Sequence, residues 1–166
     1  MRRDVPPDVA WAHYPPQVAA AESEVPVDER LCLALYRAAH AMDAIYRALL
    51  AGSGLTYPQY TVLSVLRQDG PAPVMALARR LGLSSNTVSP LLKRLEAQGL
   101  LTRDRGAQDE RTVLVALTGA GRGLADELAD VPARVTAASG LTEDEQDDLV
   151  GRLHDLAGAL QAGTDR

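Results

Sequence analysis

The chain has no phenylalanine, one tryptophan and one cysteine in 166 residues. With aromatics at 4%, a core must be built from Leu, Val and Ala, which favours packed helices over a sheet sandwich. A single thiol excludes an internal disulfide and a cysteine-rich zinc site. No apolar run approaches the roughly 20 residues that span a bilayer. No apolar signal segment follows "MRRDVPP". These absences predict a cytoplasmic protein with no membrane partner and no bound metal.

Charge is present but unevenly spread. The chain carries a net charge of -5, which argues against nucleic acid as a partner. Yet Pro58 to Leu117 holds eight Lys and Arg against five Asp and Glu, while the remainder holds nine against seventeen. A basic middle between acidic ends is the asymmetry to follow.

Residues 1–27 hold five of the ten prolines and cannot form a continuous helix. They read as a proline-rich arm, either a loose tail or a strap packed through Trp11 and Tyr14. "VPVDERL" then predicts a helix with Asp28 as N-cap, its apolar face carried by Leu31, Leu35, Ala38, Met42, Ile45 and Leu49. "AGSGL" stops it. "LTYPQ" opens a second helix, with Thr56 and Gln59 as a capping box and Pro58 in the first turn.

"VMALARRLGLSSNTVSPLLKRLEAQGLL" predicts two short helices around a turn at Gly82, the second capped by Ser84, with Leu77, Leu81, Val88, Leu91, Leu92 and Leu95 inward. "LLTRDRGAQDERTVLVALT" alternates apolar and polar on both sides of a polar stretch, which predicts a hairpin with a long charged tip. Helix-turn-helix followed by such a hairpin is a winged helix. Two long helices are expected to close the chain, one from Thr118 to about Ala138, the other from the capping box Thr142–Glu145. "TGAGRG" fails as a phosphate loop: its third Gly comes one residue early, and no Lys-Ser/Thr pair follows. Thr118 reads there as a helix cap, and no cofactor is expected.

The expected class is therefore mainly α: a winged helix-turn-helix over 58–117, with helices of 28–57 and 118–162 forming a dimerisation region. A recognition helix buries one side and offers the other to the major groove. Ser85, Ser89 and Lys93 recur at four-residue spacing away from the buried face, with Asn86, Thr87 and Arg94 beside them. Short polar side chains at a helix start suit base edges, and free N–H groups there suit phosphate. Pro90 inside this helix predicts a bend. Arg103, Arg105 and Arg111 on the wing are candidates for phosphate or minor-groove contact.

The lone thiol lies in "ERLCLALYRAAHAMDAIYR". Near the positive end of a helix dipole, Cys32 is placed where a thiolate is favoured. Tyr36 and Tyr46 share its stripe on a helical wheel, but Tyr46 is about 21 Å away along the axis at ~1.5 Å per residue. A tyrosine cannot span that, so Tyr46 meets a Cys32 only if another chain brings it.

These segments together resemble the MarR family of winged-helix transcription regulators over about residues 29–162. "LLKRLEAQGLLTRDRGAQDERTVLVALTGAGR" resembles the family's recognition-helix end, wing and following helix, and "DERTVLVALT" its Asp-x-Arg wing motif. "LCLALY", "LTYPQY" and Pro90 resemble the organic-hydroperoxide-resistance regulators of one-cysteine type. The resemblance implies that Arg111 enters the minor groove, that Asp109 orients the wing, and that tyrosines contact the reactive cysteine across a subunit interface. It implies a homodimeric repressor, not an enzyme, that binds an inverted-repeat operator in double-stranded DNA. An organic hydroperoxide would oxidise Cys32 and a low-molecular-weight thiol would follow as second reactant. The alternative is a repressor released by a small phenolic or lipophilic ligand. The proline-rich arm is not required by the family.

Overall fold

Helix α1 runs Leu31–Leu50, preceded by a 3-10 turn at Val27–Glu29. A computed structural model describes residues 25–106 and 109–164, and the side chains of 105, 109–112 and 164 fall outside that description. The expected contact of the arm through Trp11 and Tyr14 lies outside the described residues. Asp28 does not cap α1. The 3-10 turn that follows Pro26 takes up Asp28, and the helix starts only after Arg30, whose carbonyl accepts from the amides of Leu33 and Ala34. The Asp28 carboxylate instead accepts from Arg37 at 2.9 Å. Cys32 is thereby the second residue of α1 rather than the fourth after a cap.

Contacts divide the chain into two compact units, one drawn from 1–41 and 139–166, the other Met42–Ala138. In the first, the described residues are the start of α1 and the last helix, α7, at Glu143–Thr164. The box expected at α7 is present: Glu145 accepts from the Thr142 amide and hydroxyl, both at 2.9 Å, and the Thr142 hydroxyl accepts from the Glu145 amide. Those two Thr142 hydrogen bonds hold the Glu145 carboxyl below the usual carboxylate range. No described residue of this unit is buried.

The second unit holds the core. Helix α2 spans Tyr57–Asp69, with Pro58 in its first turn and Gln59 accepting from the Thr56 amide at 2.9 Å. It ends at Gly70, whose φ of 81° suits glycine. Strand β1 is the pair Ala72–Pro73, then come α3 at Val74–Arg80 and α4 at Ser85–Ala97. Gly82, at φ 63°, makes the turn between α3 and α4, and the Leu83 amide closes it on the Ala78 carbonyl at 2.9 Å. Strands β2 (Leu101–Gly106) and β3 (Asp109–Leu117) form the hairpin, and β1 joins β3 on its other side, giving order β1-β3-β2, all antiparallel. Two further helices, α5 at Gly119–Glu127 and α6 at Val131–Ser139, complete the order.

Three differences from the sequence reading have physical causes. The single helix expected over 118–138 is two, because Pro132 has no N–H and would clash with the Leu128 carbonyl one turn back. The wing ladder reaches Gly106 opposite Asp109, with a register shift at Arg105/Gly106, so much of the expected polar tip is strand. Ala72–Pro73 pairs with Val115 and Leu114, an edge position where a proline's missing N–H costs no ladder bond.

The core is aliphatic. Leu63, Leu66, Leu77, Val88, Leu92, Leu95, Leu101 and Val115 are almost fully buried, and Tyr60 is the one buried aromatic among the described residues. Leu81 and Leu91, expected inward, are half-buried at the margin.

The turn from α4 to β2 is clamped from below. The Leu100 amide reaches back to the Leu95 carbonyl at 3.0 Å, and Gly99 sits at φ 71°. The Thr118 hydroxyl donates to the Gly99 carbonyl at 2.7 Å, the Thr118 amide donates to the Leu100 carbonyl at 3.1 Å, and the Gly121 amide donates to the Thr118 hydroxyl at 3.0 Å. A Cβ on Gly121 would lie 1.8 Å from the Leu100 carbonyl oxygen. Gly123, two residues on, has nothing within 4 Å of a Cβ. Gly121→Ala should therefore destabilise by an order of ~2–4 kcal/mol, since backbone must move on both sides. Gly123→Ala should be neutral or stabilising by up to ~1 kcal/mol through helix propensity. Urea denaturation of both variants checks this, and equal effects would refute the clamp.

Candidate nucleic-acid interface and thiol site

The start of α4 is built by its cap. Ser84 has extended backbone, and its hydroxyl accepts from the Thr87 amide at 3.3 Å and meets the Thr87 hydroxyl at 2.9 Å. Thr87 is therefore tied to the cap as well as lying on the candidate reading face. Val88, Leu92 and Leu95 bury the opposite side, while Ser85, Asn86, Lys93 and Arg94 are exposed and Ser89 is half-buried. The helix runs from Ser85 to Ala97 through Pro90.

On the wing, the side chains of Arg105, Asp109 and Arg111 lie outside the described residues. Their backbones place Arg105 on β2, and Asp109 and Arg111 on β3. Arg103 is described, and it faces its own chain. Its Nε donates to Glu96 Oε2 at 2.9 Å, and a second guanidinium N–H donates to the same oxygen. No periodicity points to Glu96: the two residues sit seven apart, across the α4–β2 turn.

Beside the reading face, Thr56, Pro58 and Gln59 of the α2 start face Leu83 and the α4 residues Thr87, Pro90, Leu91 and Arg94 across a concavity of about 250 Å³. Its walls are largely apolar, with Arg94 as the cation.

The thiol and the tyrosines fall into two groups. In the first unit, Cys32 is free and exposed, and Tyr36 lies one turn on. The Tyr36 ring meets His40 edge-on, with centroids 4.3 Å apart, so Cys32, Tyr36 and His40 follow one another at four-residue spacing on α1. In the second unit, Tyr46 packs against Tyr57 at 4.3 Å and Tyr60 at 5.9 Å between centroids. Burial, with Tyr57 and Tyr60 adding to it, pushes the Tyr46 phenol up to about 12. Burial and then Tyr60 push Tyr57 up as well. Both phenols thus stay protonated through the physiological range and remain O–H donors. Sequence reasoning missed Tyr57 and Tyr60 as companions of Tyr46. The available signal was "TYPQY", which places them three apart on the first turn of α2.

Among the described residues no helix is long and apolar enough to cross a membrane, and no group of side chains could hold a metal ion.

Residues 55–113, which span the helix-turn-helix and most of the wing, match the model of the MarR family. The HTH-type transcriptional regulator TtmR of Methylorubrum extorquens is 45% identical over 82% of this chain and 70% of that regulator. The organic hydroperoxide resistance transcriptional regulator of Bacillus subtilis is 35% identical over 81% of this chain and 91% of that protein. Among solved structures, Bordetella bronchiseptica BpsR, described for regulation of its DNA binding by 6-hydroxynicotinic acid, superposes with a TM-score of 0.74 at 29% identity, covering 80% of this chain and 96% of that one. With the helix-turn-helix and three-stranded wing in place, these similarities identify the chain as a member of the MarR family of transcriptional regulators.

Proposed function

We propose that the chain is a homodimeric repressor whose hold on an inverted-repeat operator is controlled by oxidation of Cys32. The observation that carries this reading is a free, exposed thiol in the first turn of α1, one turn before a tyrosine that is 62% exposed. The relationship to the Bacillus subtilis regulator supports an organic hydroperoxide as the oxidant class.

DNA contact falls to the exposed side of α4, with Ser85, Asn86 and Lys93 toward base edges and backbone, and to Arg111 on the wing. Dimerisation follows from faces that the chain leaves in water. Leu149, Leu153 and Leu160 lie on one side of α7 and are 39–53% exposed. Leu31 on α1 is exposed to 60%. Such stripes are at home against a second copy. That second copy would bring the protonated Tyr46–Tyr57 pair to the thiol, where two O–H donors favour the anion.

The chemistry closes with the reactants named. The Cys32 sulfur attacks one peroxide oxygen, the O–O bond breaks, the alcohol leaves with the proton, and a sulfenic acid remains. The chain has no second cysteine. A low-molecular-weight thiol then condenses with the sulfenic acid, releasing water and leaving a mixed disulfide. The added bulk falls on the helix surface that would join the two copies, and so would alter the spacing of the two reading heads.

A second reading is favoured by the concavity beside α4. It is apolar with a cation at its rim, and Thr87 and Arg94 belong both to it and to the candidate reading face. A small aromatic acid seated there would compete with DNA, and the BpsR comparison lends this support.

Four outcomes are expected. Sedimentation at micromolar concentration should give a dimer, and a stable folded monomer would refute the assembly. A stoichiometric organic hydroperoxide should weaken operator binding of the parent by roughly 5- to 150-fold, the span of ordinary allosteric couplings. Cys32→Ser should bind like the reduced parent and stay bound. Tyr46→Phe and Tyr57→Phe should keep reduced binding but lose the thiol roughly ten-fold more slowly, as expected for a lost hydrogen bond to a charged group. Anisotropy during peroxide titration, with mass spectrometry of the Cys32 peptide, reads all of these. Release of Cys32→Ser by peroxide would end the redox reading, and release of both proteins by an aromatic acid would put the second in its place.

A further inference from the structure

We infer that Glu96 and Arg103 form a brace that sets the angle between the recognition helix and the wing, and that Arg103 serves DNA binding through Glu96 rather than by touching phosphate. The inference rests on the DNA-binding reading above and assigns two positioning residues to it.

The geometry starts with the ion pair itself. Two N–H groups of one guanidinium converge on Glu96 Oε2. Side-chain exposure is 25% for Arg103 and 37% for Glu96, lower than for any other ion pair among the described residues. The other pairs are more exposed, and exposed ion pairs contribute little. This one is partly screened from water and holds a planar fork in a defined direction.

Position gives the pair its leverage. Glu96 is in the last turn of α4, and Arg103 is the third residue of β2. Arg103 lies opposite Val115 in the ladder, and Val115 lies opposite Ala72 on its other side. Arg103 therefore stands in one of the two rows where all three strands meet, Ala72–Val115–Arg103 and Pro73–Leu114–Asp104, at the root of the wing. Beyond those rows the hairpin has two strands only, through Arg105–Val113 toward Arg111. A two-stranded ribbon takes its direction from its root. The Thr118 clamp holds the α4–β2 turn at its backbone. The Glu96–Arg103 pair spans the same turn through side chains, so helix and ribbon are linked twice.

The charge on Glu96 separates two effects of opposite sign. Glu96 is a carboxylate on the helix that reads DNA, where an unpaired anion would repel phosphate. Removing its charge should, on electrostatics alone, tighten binding. The brace requires the opposite sign, because the neutral side chain loses the charge-assisted fork that aims the wing.

The probe is a duplex enriched by the reduced, full-length parent from a random-sequence pool, with binding read by anisotropy at several salt concentrations. Glu96→Gln should weaken binding about 5-fold, the scale of coupling between residues in one network. Its salt slope should match the parent's, since no phosphate contact is lost. The exchanged pair Glu96→Arg with Arg103→Glu should recover most of the affinity lost by Arg103→Glu alone. Thermal unfolding of each variant confirms that the lobe remains folded. Unchanged or tighter binding by Glu96→Gln would overturn the brace. So would an exchanged pair as weak as Arg103→Glu with a salt slope flatter by about one, which would make Arg103 a phosphate contact. If the parent enriches no duplex, the DNA-binding reading itself falls, an outcome distinct from either variant result.

Discussion

The seat of the Leu100 carbonyl against Gly121 is the constraint on which the DNA-binding lobe depends. Recognition helix, turn and wing strand pass over the start of α5 with no room for even a methyl group between backbones. Thr118 occupies the junction as both helix cap and clamp: it accepts from Gly121 while donating to Gly99. The "TGAGRG" stretch that superficially resembles a phosphate loop is thus a packing device. Its glycine is there because another main chain passes at contact distance.

Electrostatics in the lobe are more selective than the charge count suggests. Of its eight basic residues, Arg67 is paired to Asp126, Arg80 to Asp69 and Arg103 to Glu96. The first two pairs join α2 to α5 and to α3. Arg79, Lys93 and Arg94 are exposed on α3 and α4. A net count therefore overstates the positive charge available to a polyanion and misplaces it. What remains lies along the helix-turn-helix and, by backbone position, along the wing.

Much of the fold was legible because local chemistry and tertiary structure agree. The Thr56–Gln59 and Thr142–Glu145 boxes, the Ser84 cap and the Gly82 turn are short-range signals that the structure uses as written. The helix break at Pro132 was equally local, yet apolar periodicity running through it hid the boundary. Strand β1 was not legible, since two residues beside a proline carry no pattern and are ordered only by β3. Within the candidate site, the exposed face of α4 followed from its buried face. The Glu96–Arg103 pair and the Tyr46–Tyr57–Tyr60 cluster did not, because each joins residues from different elements. Helical spacing drew Tyr46 toward Cys32 on the wheel, whereas the ring contacts of Tyr46 are with α2.

The absence of any buried residue among those described in 25–41 and 139–164 bears on how such a regulator would live in a cell. Isolated helices are marginal in water, and most helical stability comes from packing an apolar face. If a second copy supplies that packing, the folding of this unit becomes a matter of mass action, and its order depends on how many copies are present. Newly made chains at low abundance would then hold the thiol-bearing turn loosely until they met a partner. Such a protein would couple the order of this helical unit to its own concentration, without any dedicated site for doing so.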